Sequence, residues 1–219
     1  MSMEPKIINP EAIEGESFRI IETELEEMKA KPQLSPEEFT VLVRIIHATA
    51  DFDFAKNTVF HPEAVKSGVN AIKRGENIVV DVEMIRAGIN KSGLSKFGCE
   101  VLSFMSDEDV AQKAKELGIT RAICSMRKAA NVCPRSVFAI GNAPTALFEL
   151  IRLVRNKKLF PSLVIGVPVG FVSAIEAKEE ALKLGNYDIP YIVTRGRKGG
   201  TPVAVAAMNA LIRLSTEKG

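Results

Sequence analysis

The sequence predicts an α/β fold: a single domain of three layers, α/β/α, around a mostly parallel central sheet of about five or six strands. Three observations carry this prediction. Short apolar segments such as Ile78-Val79-Val80, Val137-Phe138-Ala139-Ile140 and Leu163-Val164-Ile165 alternate with helical segments. These segments are apolar throughout instead of alternating with polar residues, as strands covered on both faces are. The chain of 219 residues suffices for one good core, and no linker divides it. Residues 1–219 therefore read as one domain, with N-terminal helices over 10–50 and an α/β body over 57–215.

Residues 10–30 read as a helix. Asn9 can cap it, Pro10 suits its first turn, and Ile13, Phe18, Ile20, Ile21, Leu25 and Met28 supply an apolar face, with Gly15, Glu16 and Ser17 interrupting the early part. Ser35-Pro36-Glu37-Glu38 is a capping-box start for a second helix carrying Phe39, Leu42, Val43, Ile46 and His47. A strand at 58–60 leads through His61-Pro62 into a helix that ends at Gly75. Residues 78–81 form a strand followed by a helical stretch over 82–87. Residues 90–98, rich in Lys, Ser and Gly, read as the mobile loop of the chain. Residues 101–104 read as a third internal strand, after which Asp107 caps a helix to Leu117-Gly118. Thr120 caps the next helix, 121–133, which Pro134 stops. Strand 137–140 turns through Gly141-Asn142-Ala143-Pro144 into helix 145–155. Strand 163–166 does the same through 167–170 into helix 173–184. Strand 191–194, the glycine loop 195–200 and a helix over 202–214 complete the chain.

Composition narrows the function. The formal net charge of +2, the absence of Trp and the presence of only two Tyr disfavour nucleic acid. No apolar run is long enough to span a bilayer. The opening Met1-Ser2-Met3-Glu4-Pro5 lacks the pattern of a signal peptide, so a cytoplasmic protein is expected. Cys99, Cys124 and Cys133 follow no C-x-x-C spacing and are expected to be buried or half-buried thiols, neither disulfides nor metal ligands. No cluster of His, Cys and carboxylates stands at ligand spacing, so no catalytic metal is expected.

In a parallel sheet every strand's carboxyl end reaches one edge, where ligands bind. Asp81, Ser106, Gly141-Asn142, residues 168–170 and residues 195–200 are expected to gather there. Helix N-termini with free N–H groups, joined by Arg195, Arg197 and Lys198, suit such an edge to anions. No dinucleotide or P-loop spacing is present, which disfavours a nucleotide-binding enzyme. Asp81 reads equally as a helix cap.

His47, one of two histidines, ends an apolar helical run and is expected to project from a packed helix with limited contact to bulk water. Its imidazole can give or take a proton near neutral pH. A core histidine bonded to a carbonyl is the bland alternative, and spacing leaves both open. Arg44, less than one turn earlier, can border the same site or reach water. Ser17, beside Arg19, can face a ligand or solvent. His61, before Pro62 at a helix start, is not read as catalytic.

Four stretches together carry a resemblance: Arg44-Ile45-Ile46-His47-Ala48, the run from Val137 to Phe148, Gly166-Val167-Pro168-Val169-Gly170-Phe171-Val172, and Arg195-Gly196-Arg197-Lys198-Gly199-Gly200. In this order and spacing they resemble the precorrin-8X methylmutase (cobalt-precorrin-8 methylmutase, precorrin isomerase) family, from Ser17-Phe18-Arg19-Ile20-Ile21 to the last helix. The resemblance implies an isomerase of cobalamin biosynthesis. Such enzymes move a methyl group from C-11 to C-12 of a corrin-like ring with acetate and propionate arms, giving hydrogenobyrinate or its cobalt form, cobyrinate. It also implies no cofactor and a homodimer with the substrate pocket near the subunit contact. By resemblance His47 is the catalytic proton donor and acceptor, and Ser17, Arg44 and Arg121 contact substrate. Asn142, Thr145, Arg195 and Lys198 join them from motif and edge position. The chain departs from the family at Ala48-Thr49-Ala50-Asp51, where relatives can carry Cys-Gly, and at Thr201, where Ser is common. A carrier that holds the corrinoid product without converting it is the competing reading.

Overall fold

The computed structural model describes residues 9–29 and 32–217. The opening residues Met1–Pro5 and Ala30, the expected end of the first helix, lie outside the described residues. The elements run α1 (Pro10–Glu27), α2 (Pro36–Thr49), α3 (Phe54–Asn57), β1 (Thr58–Phe60), α4 (Ala64–Lys73), β2 (Ile78–Val80), α5 (Glu83–Gly88), α6 (Lys91–Ser95) and β3 (Val101–Leu102). They continue with α7 (Glu108–Leu117), α8 (Arg121–Val132), β4 (Val137–Ile140), α9 (Pro144–Arg155), β5 (Leu163–Gly166), α10 (Ala174–Ala181), a 3-10 segment (Leu182–Tyr187), β6 (Tyr191–Thr194) and α11 (Thr201–Thr216).

The six strands form one sheet in the order β1-β6-β5-β4-β2-β3. β2 through β6 run parallel, and β1 runs antiparallel to β6 with Thr58 opposite Thr194. Alternate strand residues enter two separate cores, as the two-residue period requires. Val137, Ala139, Leu163 and Ile165 pack with α2, α4 and α11, whereas Phe138, Ile140 and Val164 pack with residues of α7 to α10. The three expected layers are therefore present. No helix of the described residues is long and apolar enough to cross a membrane.

Local chemistry explains several helix starts. Asn9 Oδ1 accepts the Ala12 N–H at 3.2 Å. Ser35 and Glu38 close a reciprocal capping box. Thr120 accepts the Ile123 N–H at 3.3 Å. Five expectations are corrected. Residues 90–98 are not simply a loop: Asn90 Oδ1 accepts the Gly93 N–H, and Gly93 lies so close to Ile212 that an added Cβ would sit 2.5 Å away, so α6 is docked on α11. Residues 101–104 give no internal strand, because β3 is a two-residue edge strand. Asp107 makes no side-chain cap; its carboxylate pairs with Lys128 at 2.7 Å. Gly15, Glu16 and Ser17 do not interrupt α1. Of its expected apolar face, Ile21 and Leu25 are buried, while Ile13, Ile20 and Met28 are exposed.

Candidate active site

The site begins with how the chain enters the sheet. Because β1 pairs antiparallel with β6, residues 51–57 lie at the carboxyl edge, and the end of α2 that bears His47 lies there too. A double ion pair fixes this arrangement. Lys198 Nζ lies 2.6 Å from Asp51 Oδ2 and 2.7 Å from Asp53 Oδ2. The Lys198 bond holds the Asp51 carboxyl below its ordinary value, and bonds to Asp51 and Asp53 hold the ammonium above its own. The Arg195 N–H donates to the Asn57 carbonyl at 2.7 Å, a second tie between the same segments.

His47 corrects the reading of a shielded imidazole. α2 buries Val41, Leu42, Val43, Ile45 and Ile46, but His47 is exposed and its imidazole makes no hydrogen bond among the described residues. The alternative of a core histidine bonded to a carbonyl is overturned with it. Its ring meets Phe18 of α1 edge to face, with centroids 5.4 Å apart. Arg44 stacks its guanidinium over the same Phe18 ring at 5.2 Å and pairs with Glu14 at 2.9 Å. Burial raises the Glu14 carboxyl, but Arg44 and Arg213 together bring it below its ordinary value. Nε of Arg44 is buried without a partner among the described residues. Arg44 also borders a polar cleft with Asn90, Lys96, Asn209 and Arg213. Ser17 turns its hydroxyl to the Ile13 carbonyl at 2.8 Å.

Along the sheet edge, the strand order reverses between β2 and β4, and Asp81 fills the resulting crevice. Its carboxylate accepts the N–H groups of Gly141, Asn142 and Ala143 at 3.0, 2.9 and 2.6 Å. Burial pushes this carboxyl above its ordinary value while the three donors pull it down. The turn that leads into α9, expected to face an external anion, is thus bound by the chain's own carboxylate. Asp81 is not a helix cap: its three donors belong to the turn before α9, which it locks to the end of β2.

Gly199 and Gly200 seat the loop 195–200 against the same edge. A Cβ on Gly199 would fall 2.3 Å from the Val167 carbonyl oxygen, so only glycine fits without displacement. The Gly200 N–H donates to that oxygen at 2.8 Å. A Cβ on Gly141 would lie 3.1 Å from the Gly200 carbonyl, which places the α9 turn and the loop side by side. Arg197 stacks over Phe171 at 5.3 Å, and Arg195 Nε stands 3.9 Å from Glu179, a loose pair. At the start of α8, Arg121 is exposed without an ion pair among the described residues, and Thr120 Oγ1 bonds Thr145 Oγ1 at 3.2 Å. The Asn142 side chain is exposed. Ser106 takes no part in this network, since β3 sits at the far side of the sheet.

Lys198 and Arg195 are tied directly to residues 51–57, just after the helix end that bears His47, while Asn142 and Thr145 lie at the α9 turn with Arg121 beside Thr145 through Thr120. Ser17 and Arg44 attach through α1. Sequence reasoning overlooked Glu14, Asp53 and Lys178. Lys178 had a legible signal: with Ala174, Ala177 and Ala181 it occupies the buried face of a helix. Among the described residues, no group of three or more His, Cys, Asp or Glu side chains could hold a metal ion. All three cysteines are free and buried.

Residues 12–214 match the family model described as precorrin-8X methylmutase. The chain is 50% identical over 213 residues to the cobalt-precorrin-8 methylmutase of Leptospira interrogans, covering 94% of each protein. It is 47% identical over 207 residues to the protein of the same name from Priestia megaterium, covering 94% of this chain and 89% of the relative. Among solved structures, the precorrin-8X methyl mutase of Thermus thermophilus superposes with a TM-score of 0.81 at 40% identity, covering 93% of this chain and 97% of the other.

Proposed function

The chain belongs to the precorrin-8X methylmutase family, and from that premise we propose that its carboxyl edge binds the corrin-like substrate and that His47 moves the proton that promotes methyl migration. It is an isomerase of cobalamin biosynthesis, acting on precorrin-8X or cobalt-precorrin-8. The methyl group passes from C-11 to C-12 within one molecule, so no acceptor cofactor is required. A proton or strong hydrogen bond from His47 to a ring nitrogen withdraws electrons from the conjugated system, the methyl migrates, and the proton returns. General acid assistance of this kind contributes about 10²–10⁴-fold in rate. Holding a rigid ring in one pose supplies much of the remainder.

The observation that carries this reading is the placement of His47. It is exposed at the helix end that Lys198 ties to the sheet edge, where a large planar ligand can reach it. Cations around it suit a ligand ringed with carboxylates. Arg121 has no internal partner among the described residues and Arg195 only a loose one, so they receive substrate carboxylates first, with two-pronged geometry open to each. Arg44 reaches the substrate by exchanging Glu14 for a substrate carboxylate, while Lys198, two of whose three N–H donors hold Asp51 and Asp53, offers its third. Ser17, Asn142 and Thr145 supply neutral hydrogen bonds to the arms. The enzyme works in the cytoplasm as a homodimer. Phe171 and Val172, each 83% exposed beside the loop, suit burial at that subunit contact.

The test is conversion. Purified protein mixed in excess with metal-free precorrin-8X, and separately with the cobalt form, should give the absorbance of hydrogenobyrinate or cobyrinate in a single turnover. Binding of both without conversion of either would leave a corrinoid carrier and overturn the reading.

A further inference from the structure

Lys178 is the one lysine with no solvent exposure among the described residues. It lies on the face of α10 that Ala174, Ala177 and Ala181 press against α9 and β6. Nζ donates to the Lys198 carbonyl at 2.8 Å and stands 3.5 Å from Thr194 Oγ1, which itself donates to that carbonyl at 3.1 Å. Among the described residues, no carboxylate reaches the ammonium. On α10, Glu179 faces Arg195, and Glu180 holds Arg155 and Lys183. On α9, Glu149 holds Arg127 and Arg152. In the 3-10 segment and just after it, Tyr187 and Asp188 are exposed; on β6, Tyr191 meets His61 edge to face. After β6, Arg197 covers Phe171 and the Lys198 ammonium holds Asp51 and Asp53. An unpaired buried ammonium is a cost that an apolar side chain of the same length would avoid. Packing alone therefore gives no reason for a lysine here.

We propose that Lys178 is a positioning residue: its ammonium clamps the Lys198 carbonyl and so holds residues 195–200 in the pose that receives substrate carboxylates. The backbone of Lys198 is gripped from beneath by Lys178 and Thr194, while its side chain grips Asp51 and Asp53 from above. A displaced carbonyl would loosen the loop. The inference rests on the methylmutase reading for the identity of the ligand, but the clamp itself does not. Burial lowers the Lys178 ammonium to about 8. Its charge-assisted bond to the carbonyl therefore weakens through that pH, because the neutral amine is the poorer donor.

The experiment compares wild type, Lys178→Met and Thr194→Val. Hydrogen exchange of residues 195–200 is measured without ligand, the dissociation constant for hydrogenobyrinate is titrated from pH 6.5 to 9.5, and the single-turnover rate is read at saturating substrate. In Lys178→Met the loop should exchange faster, binding at pH 7 should weaken about tenfold, within the usual range of coupling between sites, and the saturating rate should change little. Wild-type affinity should fall through pH 8, and that fall should vanish in the variant. Thr194→Val should move exchange and affinity in the same direction by less. Unchanged loop exchange with wild-type affinity and pH profile in Lys178→Met would overturn the proposal. Should Lys178→Met not fold, an unaltered loop in Thr194→Val would do so instead. Failure of the wild type to convert substrate would sink the methylmutase reading, and loop exchange would still decide the clamp.

Discussion

Replacing Asp81 by Asn tests whether the chain's own carboxylate organises the switch point of the sheet. Oδ1 accepts the Gly141 N–H, and Oδ2 accepts those of Asn142 and Ala143. An asparagine keeps the shape but has one acceptor oxygen. Placed where Oδ2 was, it preserves two of the bonds and turns its NH₂ toward the Gly141 N–H, donor against donor. The charge-assisted bond lost there is worth about 1.5–3 kcal/mol, and a buried donor left unmatched costs about 1–3 kcal/mol. Loss of a negative charge at the start of α9 adds roughly 0.3–1 kcal/mol. Because relaxation recovers part of this sum, we expect a net loss of about 3 kcal/mol. Urea unfolding measures it as a lower midpoint at unchanged slope, and hydrogen exchange should rise at residues 141–143. Stability within about 0.5 kcal/mol of wild type, the range of an ordinary surface substitution, would refute the assignment.

Three further outcomes follow from the same geometry. Ala50 caps α2 in the left-handed conformation at φ 51°, so Ala50→Gly should stabilise the protein by about 0.5–1 kcal/mol in the same urea assay. Glu149 is raised by burial but lowered further by its bonds to Arg152 and Arg127, leaving it below 4.5. Its folded value is depressed, so its stabilisation is present above about pH 4.5 and lost as pH falls through the folded value. Glu149→Gln should cost about 1–3 kcal/mol at pH 7, both arginines remaining half in water, and should flatten the acid limb of stability against pH. Gly199→Ala forces a Cβ to within 2.3 Å of the Val167 oxygen, so it should cost about 1–3 kcal/mol in thermal unfolding and weaken corrinoid binding.

The strands were legible because buried parallel strands are apolar throughout, and 137–140, 163–166 and 191–194 stand between Gly, Pro and Asn residues. The direction of β1 was not, since a three-residue strand before a helix reads alike in either orientation. Residues 90–98 misled because their Lys, Ser and Gly content hides a side-chain cap at Asn90 and a close approach of Gly93 to Ile212, neither visible without the fold. For His47 the density of apolar residues before it obscured the helix phase: five of the six positions from Val41 to Ile46 are buried, yet the next residue faces out. The cations of the edge were legible by type, but not their partners. Asp51, Asp53 and Glu14 meet Lys198 and Arg44 only after the termini of distant elements are brought together.

The most direct measurement is a single turnover of precorrin-8X or cobalt-precorrin-8, whichever the wild type converts, by His47→Ala and His47→Asn, with binding titrated in parallel. Both variants should bind the ring nearly as wild type does, because the surrounding cations are retained, and both should lose about 10²–10⁴-fold in the rate of methyl migration. Conversion at the wild-type rate by either variant would contradict the assignment of the proton to His47.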